Sequence, residues 1–360
     1  MRFRRAPGNE EAPPPPPTPR AVRRALPPAG QLRRERRLLL AAREDKLRDL
    51  GGLMLEMYRR DQFRQDLLVD RCVELVQLEE EAGLPPGWLS VVVGKASEIG
   101  DVLVEDERVK LITFTGSGDV GWSLQERAPR KRVKLELGNS TPVIVAADAD
   151  VDATAAKLAA NAFSFAGQSC ISVQRIYVER SAFDRFVGAF LPKVDALKVG
   201  DPSDDETDVG PLIDEGARSR VGSWIEEARA SGAEVLAGGE TGELLKPTVL
   251  SQVGDDQKVS CEEVFGPVVV VNPFESVDEA IDRANGTRFG LQAGVFTASL
   301  DTALRAADRL EFGGVTINEA PTFRSDQMPY GGIKASGNTN EGPAWAVREM
   351  TEERLVVIQR

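Results

Sequence analysis

The sequence predicts an α/β fold, and three features of its pattern lead to that prediction. An apolar and β-branched run at 109–115 indicates a strand, and it leads directly into a glycine turn at 116–121. The residues after this turn have helical spacing, and residues 139–310 continue to alternate between helical and strand-like segments. This alternation is typical of a parallel sheet with helices on both faces. A chain of 360 residues is long enough for two domains with a sizeable core.

Residues 1–70 differ in composition from the rest of the chain. The first 45 residues contain eleven Arg, five acidic residues and nine Pro, a basic balance in a chain whose net charge is −12. Such a sequence buries too little apolar surface to offset chain entropy, so we expect a low-complexity, disordered segment over 1–70. Residues 46–70 could form an amphipathic helix, but they carry no motif. Two alternatives stay open: a basic arm for a partner, and a segment that is not native sequence.

Regular elements are expected from residue 71 onward. Apolar residues at helical spacing predict a helix over 72–82, which is followed by a turn at 84–87 and a strand over 88–93. A short helix over 97–104 comes before the strand at 109–115. Further helices are predicted over 151–166, 181–197 and 221–231, with a strand at 234–237. The first of these three helices leads to Cys170.

Composition narrows both the partners and the chemistry. The net charge of −12 argues against nucleic acid or an anionic membrane as a partner, and no apolar run approaches the length of a membrane span. Three widely spaced cysteines and an amino terminus rich in Arg and Pro, unlike a secretory signal, favour a reducing cytoplasm. The chain contains no histidine, which excludes Cys-His, Ser-His-Asp and His-metal sites, and we expect no metal.

The glycine turn Gly116-Ser-Gly-Asp-Val-Gly121 lies between a strand and a helix. A helix amino terminus at such a turn offers N–H groups to a pyrophosphate. In an ordinary Rossmann dehydrogenase, Glu136 would then bind the cofactor ribose, because it follows the turn at the usual distance. A plain glycine turn is the structural alternative.

Two motifs together suggest a family. Leu135-Glu-Leu-Gly138 is followed by Gly167-Gln-Ser-Cys170, an order and spacing that resemble the aldehyde dehydrogenase superfamily. The resemblance implies that Cys170 is the nucleophile and Glu136 the general base. On its residue type alone, a free cysteine such as Cys170 is more often a small buried hydrophobe.

The cofactor residues also come from the resemblance. Phe114-Thr-Gly116-Ser117 is similar to the nucleotide-binding turn of the family, and Glu262-Glu-Val-Phe-Gly-Pro267 is similar to its Glu-x-Phe-Gly-Pro motif. The resemblance implies that Gly116, Ser117, Glu263 and Phe265 bind NAD or NADP. It implies half of a nucleotide-binding domain at 71–138, a catalytic domain at 139–338, and a carboxy-terminal segment at 339–360 with a subunit-bridging strand at 351–358.

The family resemblance implies an oxidoreductase that converts an aldehyde to a carboxylic acid through a cysteine thioester, in a homodimer or homotetramer. Residues 1–70 contain neither the Trp-Asn-Phe-Pro-like motif nor the Lys-Pro strand that the resemblance leads one to expect, which indicates an amino-terminally truncated or divergent member. Two alternatives remain: an inactive remnant that only binds partners, and a Rossmann dehydrogenase of another family. Arg324, in the loop expected to close the substrate funnel, either binds an anionic substrate or forms a surface ion pair.

Overall fold

Two β-sheets organise the part of the chain that the structure describes. This computed structural model describes residues 94–240, 242 and 244–359, together with the isolated positions 38, 39, 42, 46, 74, 90 and 92. Apart from those positions, the predictions for the segment 1–70, the helix over 72–82, the turn at 84–87 and the strand over 88–93 lie outside the described residues.

Helices and strands alternate along the described chain. In order, the elements are α1 (Ala96–Glu105), β1 (Leu111–Thr115), α2 (Gly118–Arg127), β2 (Arg132–Glu136), β3 (Thr141–Val145), α3 (Val151–Phe163), β4 (Val173–Glu179), α4 (Phe183–Asp195), α5 (Glu215–Ala230), β5 (Glu234–Ala237), β6 (Thr248–Ser251), α6 (Lys258–Cys261), β7 (Val268–Phe274), α7 (Val277–Asn285), β8 (Gln292–Phe296), α8 (Leu300–Arg309), β9 (Gly314–Ile317) and α9 (Pro343–Met350). Short 3₁₀ turns lie at Ser164–Gly167, Arg180–Ala182 and Lys334–Ser336.

Strand pairing confirms the α/β prediction. β1 and β2 form a parallel two-stranded sheet in which Thr115 is opposite Glu136. The other strands form one sheet in the order β5-β6-β7-β4-β3-β8-β9. All its neighbouring pairs are parallel except β5 and β6, which are antiparallel. Both sheets belong to one compact unit, Lys95–Arg360.

Helices cover both faces of the seven-stranded sheet. On β3, Val143 and Val145 belong to a core cluster with α3 and α4, whereas Ile144 between them belongs to a cluster with α7 and α8. Successive side chains of a strand point to opposite faces, so both faces of β3 are buried. A further cluster packs α5 against β6 and β7. This double covering explains why the strands have long apolar runs.

Side-chain caps fix where several helices begin. The carboxylate of Asp150 accepts a hydrogen bond from the Ala153 N–H at the start of α3, and Asp214 accepts one from the Ala217 N–H at the start of α5. The Asp214 cap explains why α5 begins at Glu215 rather than at the predicted residue 221. In the same way, Ser276 caps α7 and Ser299 caps α8.

The small sheet has its own core, which depends on one glycine. Leu135 and Leu137 pack with Val104 of α1 and with partly buried residues of α2. A Cβ at Gly121 would lie 2.5 Å from a Leu137 methyl carbon. Glycine at this position therefore lets α2 lie close against the end of β2, the packing role of the last glycine in such turns.

The carboxy-terminal residues of the described chain have no regular structure. Residues 351–359 follow α9 without helix or strand, and the apolar residues Leu355, Val356, Val357 and Ile358 are exposed. The predicted subunit-bridging role of 351–358 stays a prediction. No helix among the described residues has both the length and the apolar character that a membrane span requires.

Candidate active site

The candidate site lies where the chain passes from the small sheet to the large one. β1 and β2 end at Thr115 and Glu136, and β3 begins at Thr141. Cys170 lies before β4, and the Glu263–Phe265 segment lies before β7, the neighbour of β4. The carboxyl ends of one parallel sheet and the amino ends of the other thus bring together residues that are far apart in sequence.

The loop that carries Cys170 depends on left-handed backbone. The helix predicted over 151–166 ends earlier, at Phe163, because Phe165 and Ala166 have φ angles of 52° and 55°. Gly167 follows with a φ of 71°, and a Cβ there would lie 2.1 Å from a carbonyl oxygen of the loop before β7. A side chain other than hydrogen does not fit at this position. This turn places Cys170 in the cleft.

The Cys170 thiol is half-buried and makes one side-chain hydrogen bond with the residues that the structure describes. Its Sγ lies 3.0 Å from the hydroxyl oxygen of Tyr330, and the two residues pack with Ile171 and Leu291. Burial raises the pKa of the Cys170 thiol, the hydrogen bond to Tyr330 opposes this rise, and the charge of Glu263 adds to it. Without a ligand, the thiol is therefore the favoured form at neutral pH.

Glu136 is a buried carboxylate without a hydrogen-bond partner among the described residues. Its side chain is 4% exposed, and neither carboxylate oxygen accepts a hydrogen bond from them. Burial raises the pKa of Glu136 to about 8, and the charge of Glu341 raises it further, whereas that of Arg324 lowers it. The backbone carbonyl of Glu136 accepts the Gly116 N–H at 3.1 Å, which holds the glycine turn against β2. An unpaired carboxylate whose pKa is raised by burial is suited to proton transfer near neutral pH.

Glu263 lies against the backbone of Gly138. A Cβ at Gly138 would lie 2.2 Å from Oε2 of Glu263, so only glycine leaves room for this carboxylate. Oε1 accepts the Asn139 N–H at 3.2 Å. Burial raises the pKa of Glu263 to about 7, while that hydrogen bond and the charge of Arg220 oppose the rise.

The six residues predicted from the sequence line one cleft of about 680 Å³. They are Gly116, Ser117, Glu136, Cys170, Glu263 and Phe265. Phe265 has a φ of 47° and presents a partly exposed ring. The cleft thus combines a thiol, an unpaired carboxylate and a second buried carboxylate beside the glycine turn. Their catalytic and binding roles stay predictions.

A second cavity of about 480 Å³ adjoins the cleft and shares Ser117, Gly138, Arg220 and Glu263 with it. Its wall also contains the cations Lys258 and Arg288 and the aromatic residues Trp122 and Trp224.

The three cations in the wall of this cavity differ in whether they form ion pairs. Lys258 and Arg288 pair with Glu227 and Glu262, whereas Arg220 forms no ion pair with the described residues. The Arg220 guanidinium lies 4.9 Å from the ring centroid of Trp224 and donates to the Val264 carbonyl at 2.9 Å.

The residues fit a dinucleotide in chemical terms. Ser117 is the N-cap of α2 and makes no side-chain cap bond, and the first-turn N–H groups of a helix have no acceptor within it. These N–H groups and the Arg220 guanidinium suit phosphates, and the Glu263 carboxylate suits ribose hydroxyls.

Sequence reasoning gave no role to two residues that line this region. Arg220 lies in the middle of α5, where no motif marks it. Tyr330 lies within Met328-Pro-Tyr-Gly-Gly332, but nothing local indicates contact with a thiol 160 residues away. Of the two roles expected for Arg324, the structure shows the ion pair, which Arg324 forms with Glu341. The Arg324 guanidinium also lies 4.2 Å from the ring centroid of Tyr330.

No metal site is evident in the described part of the chain, where no group of three or more Cys, Asp or Glu side chains could hold an ion. The thiols of Cys170 and Cys261 are both free.

Comparison with known proteins gives consistent matches. Residues 70–356 match the aldehyde dehydrogenase family. The 3-sulfolactaldehyde dehydrogenase of Priestia aryabhattai is 45% identical over 287 residues, which cover 79% of this chain and 60% of that relative. The chain thus spans 60% of the length of this relative.

Solved structures show the same likeness. Glyceraldehyde-3-phosphate dehydrogenase GapN from Methanocaldococcus jannaschii, complexed with NADP, is similar with a TM-score of 0.74 and 39% identity, covering 78% of this chain and 62% of that one. An NAD-dependent aldehyde dehydrogenase from Sinorhizobium meliloti has a TM-score of 0.75 and 39% identity, covering 78% and 57%.

Proposed function

This chain belongs to the aldehyde dehydrogenase family, and we propose that it oxidises an aldehyde to a carboxylic acid with NAD+ or NADP+. The observation that best supports this activity is the shared cleft of Cys170, Glu136 and Glu263. A thiol nucleophile and a carboxylate base can complete acyl transfer without an imidazole, which this chain lacks.

Cys170 acts first in the proposed reaction. Its thiolate adds to the aldehyde carbonyl carbon, which forms a carbon–sulfur bond and moves charge onto the carbonyl oxygen. The backbone N–H of Cys170 donates to that oxygen. The former aldehyde carbon then loses its hydrogen as hydride, for which a bound nicotinamide would be the acceptor. The carbon–oxygen double bond re-forms, and Cys170 carries a thioester.

Glu136 acts in the second half of the reaction. The carboxylate takes a proton from water, and the resulting hydroxide attacks the thioester carbonyl and displaces the Cys170 thiolate. Burial, and the lack of a hydrogen-bond partner among the described residues, keep Glu136 available for this proton. Since its pKa in the free protein is raised to about 8, we expect hydrolysis to accelerate as the pH rises towards that value.

The cofactor would be held by residues on both sides of the cleft. Gly116 and Ser117 lie at the amino end of α2, where N–H groups suit phosphates. Glu263 would accept hydrogen bonds from ribose hydroxyls, and the exposed ring of Phe265 would pack beside that ribose.

The substrate we propose is a small aldehyde with an anionic substituent. The relatives named above include a dehydrogenase of 3-sulfolactaldehyde, an aldehyde with a sulfonate group. They also include a dehydrogenase of glyceraldehyde-3-phosphate, an aldehyde with a phosphate group. Arg324 lies over the ring of Tyr330, whose hydroxyl contacts Cys170, and its charge also acts on Glu136, so its cation belongs to the surroundings of the site. Binding such a substrate would require the anion to replace Glu341 as the partner of Arg324.

Replacing the nucleophile tests the proposed reaction. Cys170→Ala should abolish NADH or NADPH formation from 3-sulfolactaldehyde or glyceraldehyde-3-phosphate, measured by absorbance, while Cys261→Ala should retain it. Nucleotide that binds only the folded protein should still stabilise Cys170→Ala, by about 2.7 kcal/mol at a hundred times its dissociation constant. Activity that survives in Cys170→Ala would contradict the proposal, and the thermal shift identifies which nucleotide binds.

A second variant tests the substrate class. Arg324→Gln should reduce kcat/KM for the anionic aldehydes by about tenfold or more, because one charge-assisted contact is lost. It should change kcat/KM for propionaldehyde by much less. An equal loss for charged and uncharged aldehydes would exclude Arg324 as an anion-binding residue.

We further propose a cytoplasmic homo-oligomer. The free thiols of Cys170 and Cys261 fit a reducing compartment. The exposed apolar residues at 355–358, which are not part of a strand in the single chain, would pair with a second copy of the chain. Deleting residues 351–360 should shift the mass measured by light scattering towards that of a monomer. An unchanged mass would place the subunit contact elsewhere.

A further inference from the structure

Tyr330 forms the one side-chain hydrogen bond to the sulfur of Cys170 in the described part of the chain. Its hydroxyl oxygen lies 3.0 Å from Sγ, and either atom can donate when the sulfur is a neutral thiol. A thiolate has no proton to donate, so the tyrosine must then be the donor. The same contact therefore becomes a charge-assisted hydrogen bond as soon as Cys170 ionises.

The surroundings of Tyr330 hold its hydroxyl in this position. The side chain is 5% exposed and packs with Ile171 and Leu291. The Tyr330 N–H donates to the Glu341 carbonyl at 3.2 Å, and the Tyr330 carbonyl accepts the Glu341 N–H at 2.5 Å. A fixed donor loses little freedom when it binds a thiolate, which increases the net strength of the bond.

The charges around Tyr330 favour its role as a donor. Burial and the nearby Cys170 and Glu136 raise the pKa of the Tyr330 phenol above its usual value, which favours the protonated phenol that can donate. The Arg324 guanidinium lies 4.2 Å from the ring centroid and pairs with Glu341, and its charge opposes part of this rise.

The other surroundings of Cys170 oppose its ionisation, so a donor to the sulfur has a function here. Burial and the charges of Glu263 and Glu136 all disfavour a thiolate at Cys170. Many reactive cysteines gain their thiolate from a neighbouring imidazolium, but this chain contains no histidine.

We propose that Tyr330 is a positioning residue that stabilises the Cys170 thiolate by donating its hydroxyl hydrogen to the sulfur. The phenol takes the place of the imidazolium of Cys-His sites as a donor that carries no charge of its own. The catalytic meaning of this contact rests on the proposed function, whereas the ionisation of the thiol can be measured without any substrate.

The experiment is a pH titration of thiol reactivity in the full chain. Cys170 is alkylated with iodoacetamide between pH 5 and pH 11, and its rate is followed by mass spectrometry of the peptide that contains it, in the wild type and in Tyr330→Phe. Phenylalanine keeps the ring and removes only the hydroxyl. We expect the midpoint for Cys170 to rise by about one to two pH units, or to move beyond pH 11, since a hydrogen bond to a charged group contributes about that much.

Cys261 provides an internal control in the same samples. Its sulfur bonds to the Asp256 carbonyl at 3.3 Å and makes no contact with Tyr330 among the described residues, so its midpoint should not move. An unchanged midpoint for Cys170 in a folded Tyr330→Phe protein would overturn the proposal. A shift shared by both cysteines would overturn it as well, because it would report a general change in structure.

A second measurement covers the case in which Tyr330→Phe does not fold. Uniform replacement of tyrosine by 3-fluorotyrosine keeps every ring in place and makes each phenol a stronger donor. The Cys170 midpoint should then fall while that of Cys261 stays constant. A midpoint for Cys170 that does not fall would refute the donor role. Because neither titration needs aldehyde or nucleotide, loss of the proposed function would be distinguishable from loss of this contact.

Discussion

Replacing Glu136 with glutamine tests whether the cleft holds a carboxylate in surroundings that oppose its charge. The side chain is buried without a partner among the described residues, and its pKa rises from 4.5 to about 8 in the folded protein. A carboxyl group with a raised pKa binds its proton more tightly in the folded state than in the unfolded one. The free energy of unfolding therefore falls as the pH rises from about 4.5 to about 8.

The size of this effect follows from the shift in pKa of Glu136. At 1.36 kcal/mol per pKa unit, it amounts to about 5 kcal/mol in total, of which about 4 kcal/mol is lost between pH 5 and pH 9. Glutamine has nearly the same shape and does not ionise in this range. We expect the wild type to lose more stability than Glu136→Gln over this interval, by a difference of up to about 4 kcal/mol.

Urea unfolding at pH 5 and pH 9, followed by tryptophan fluorescence, measures this difference. Glu263 contributes a loss in the same pH range, but it is present in both proteins and does not affect the comparison. Glu107→Gln removes the same formal charge from an exposed position and should behave as the wild type. If the wild type and Glu136→Gln lose equal stability between pH 5 and pH 9, the argument that burial raises the pKa of Glu136 is wrong.

Two other substitutions have expected results that follow from packing. Gly138→Ala should weaken nucleotide-dependent thermal stabilisation, because the new Cβ would lie 2.2 Å from Oε2 of Glu263 and displace that carboxylate. Gly188→Ala, whose new Cβ would meet no atom of the described residues within 4 Å, should retain this stabilisation. Phe186→Ala should lower the free energy of unfolding by about 3–5 kcal/mol in urea titrations, since both Phe186 and Phe190 are fully buried with ring centroids 5.3 Å apart. A loss below about 1 kcal/mol would show that this part of the core can repack.

Much of the fold could be predicted from local pattern. The alternation of helices and strands predicted the α/β fold, and the strand before the glycine turn and the helix at α1 are present close to the predicted bounds. The errors lie at element ends. α3 ends at Phe163 because Phe165 and Ala166 adopt left-handed backbone, and α5 begins at Glu215 because Asp214 caps it. Neither effect leaves a mark in the apolar periodicity.

The sequence by itself determined which family the chain resembles and which residues line the cleft. Motifs such as Gly-Gln-Ser-Cys170 are contiguous, because a turn, a close backbone approach and a reactive side chain impose local requirements that can be recognised in the sequence. The positions of Glu136 and Glu263 in one cleft with Cys170 could thus be expected before the structure was known.

Only the tertiary structure decided how these residues are held and charged. The Cys170–Tyr330 contact joins residues 160 positions apart, and the fit of Glu263 against Gly138 joins two different strand ends. Burial, which dominates the pKa of Glu136, is likewise a property of everything packed around a side chain. Such features depend on which strand ends meet in space, and pairwise spacing along the chain does not encode that.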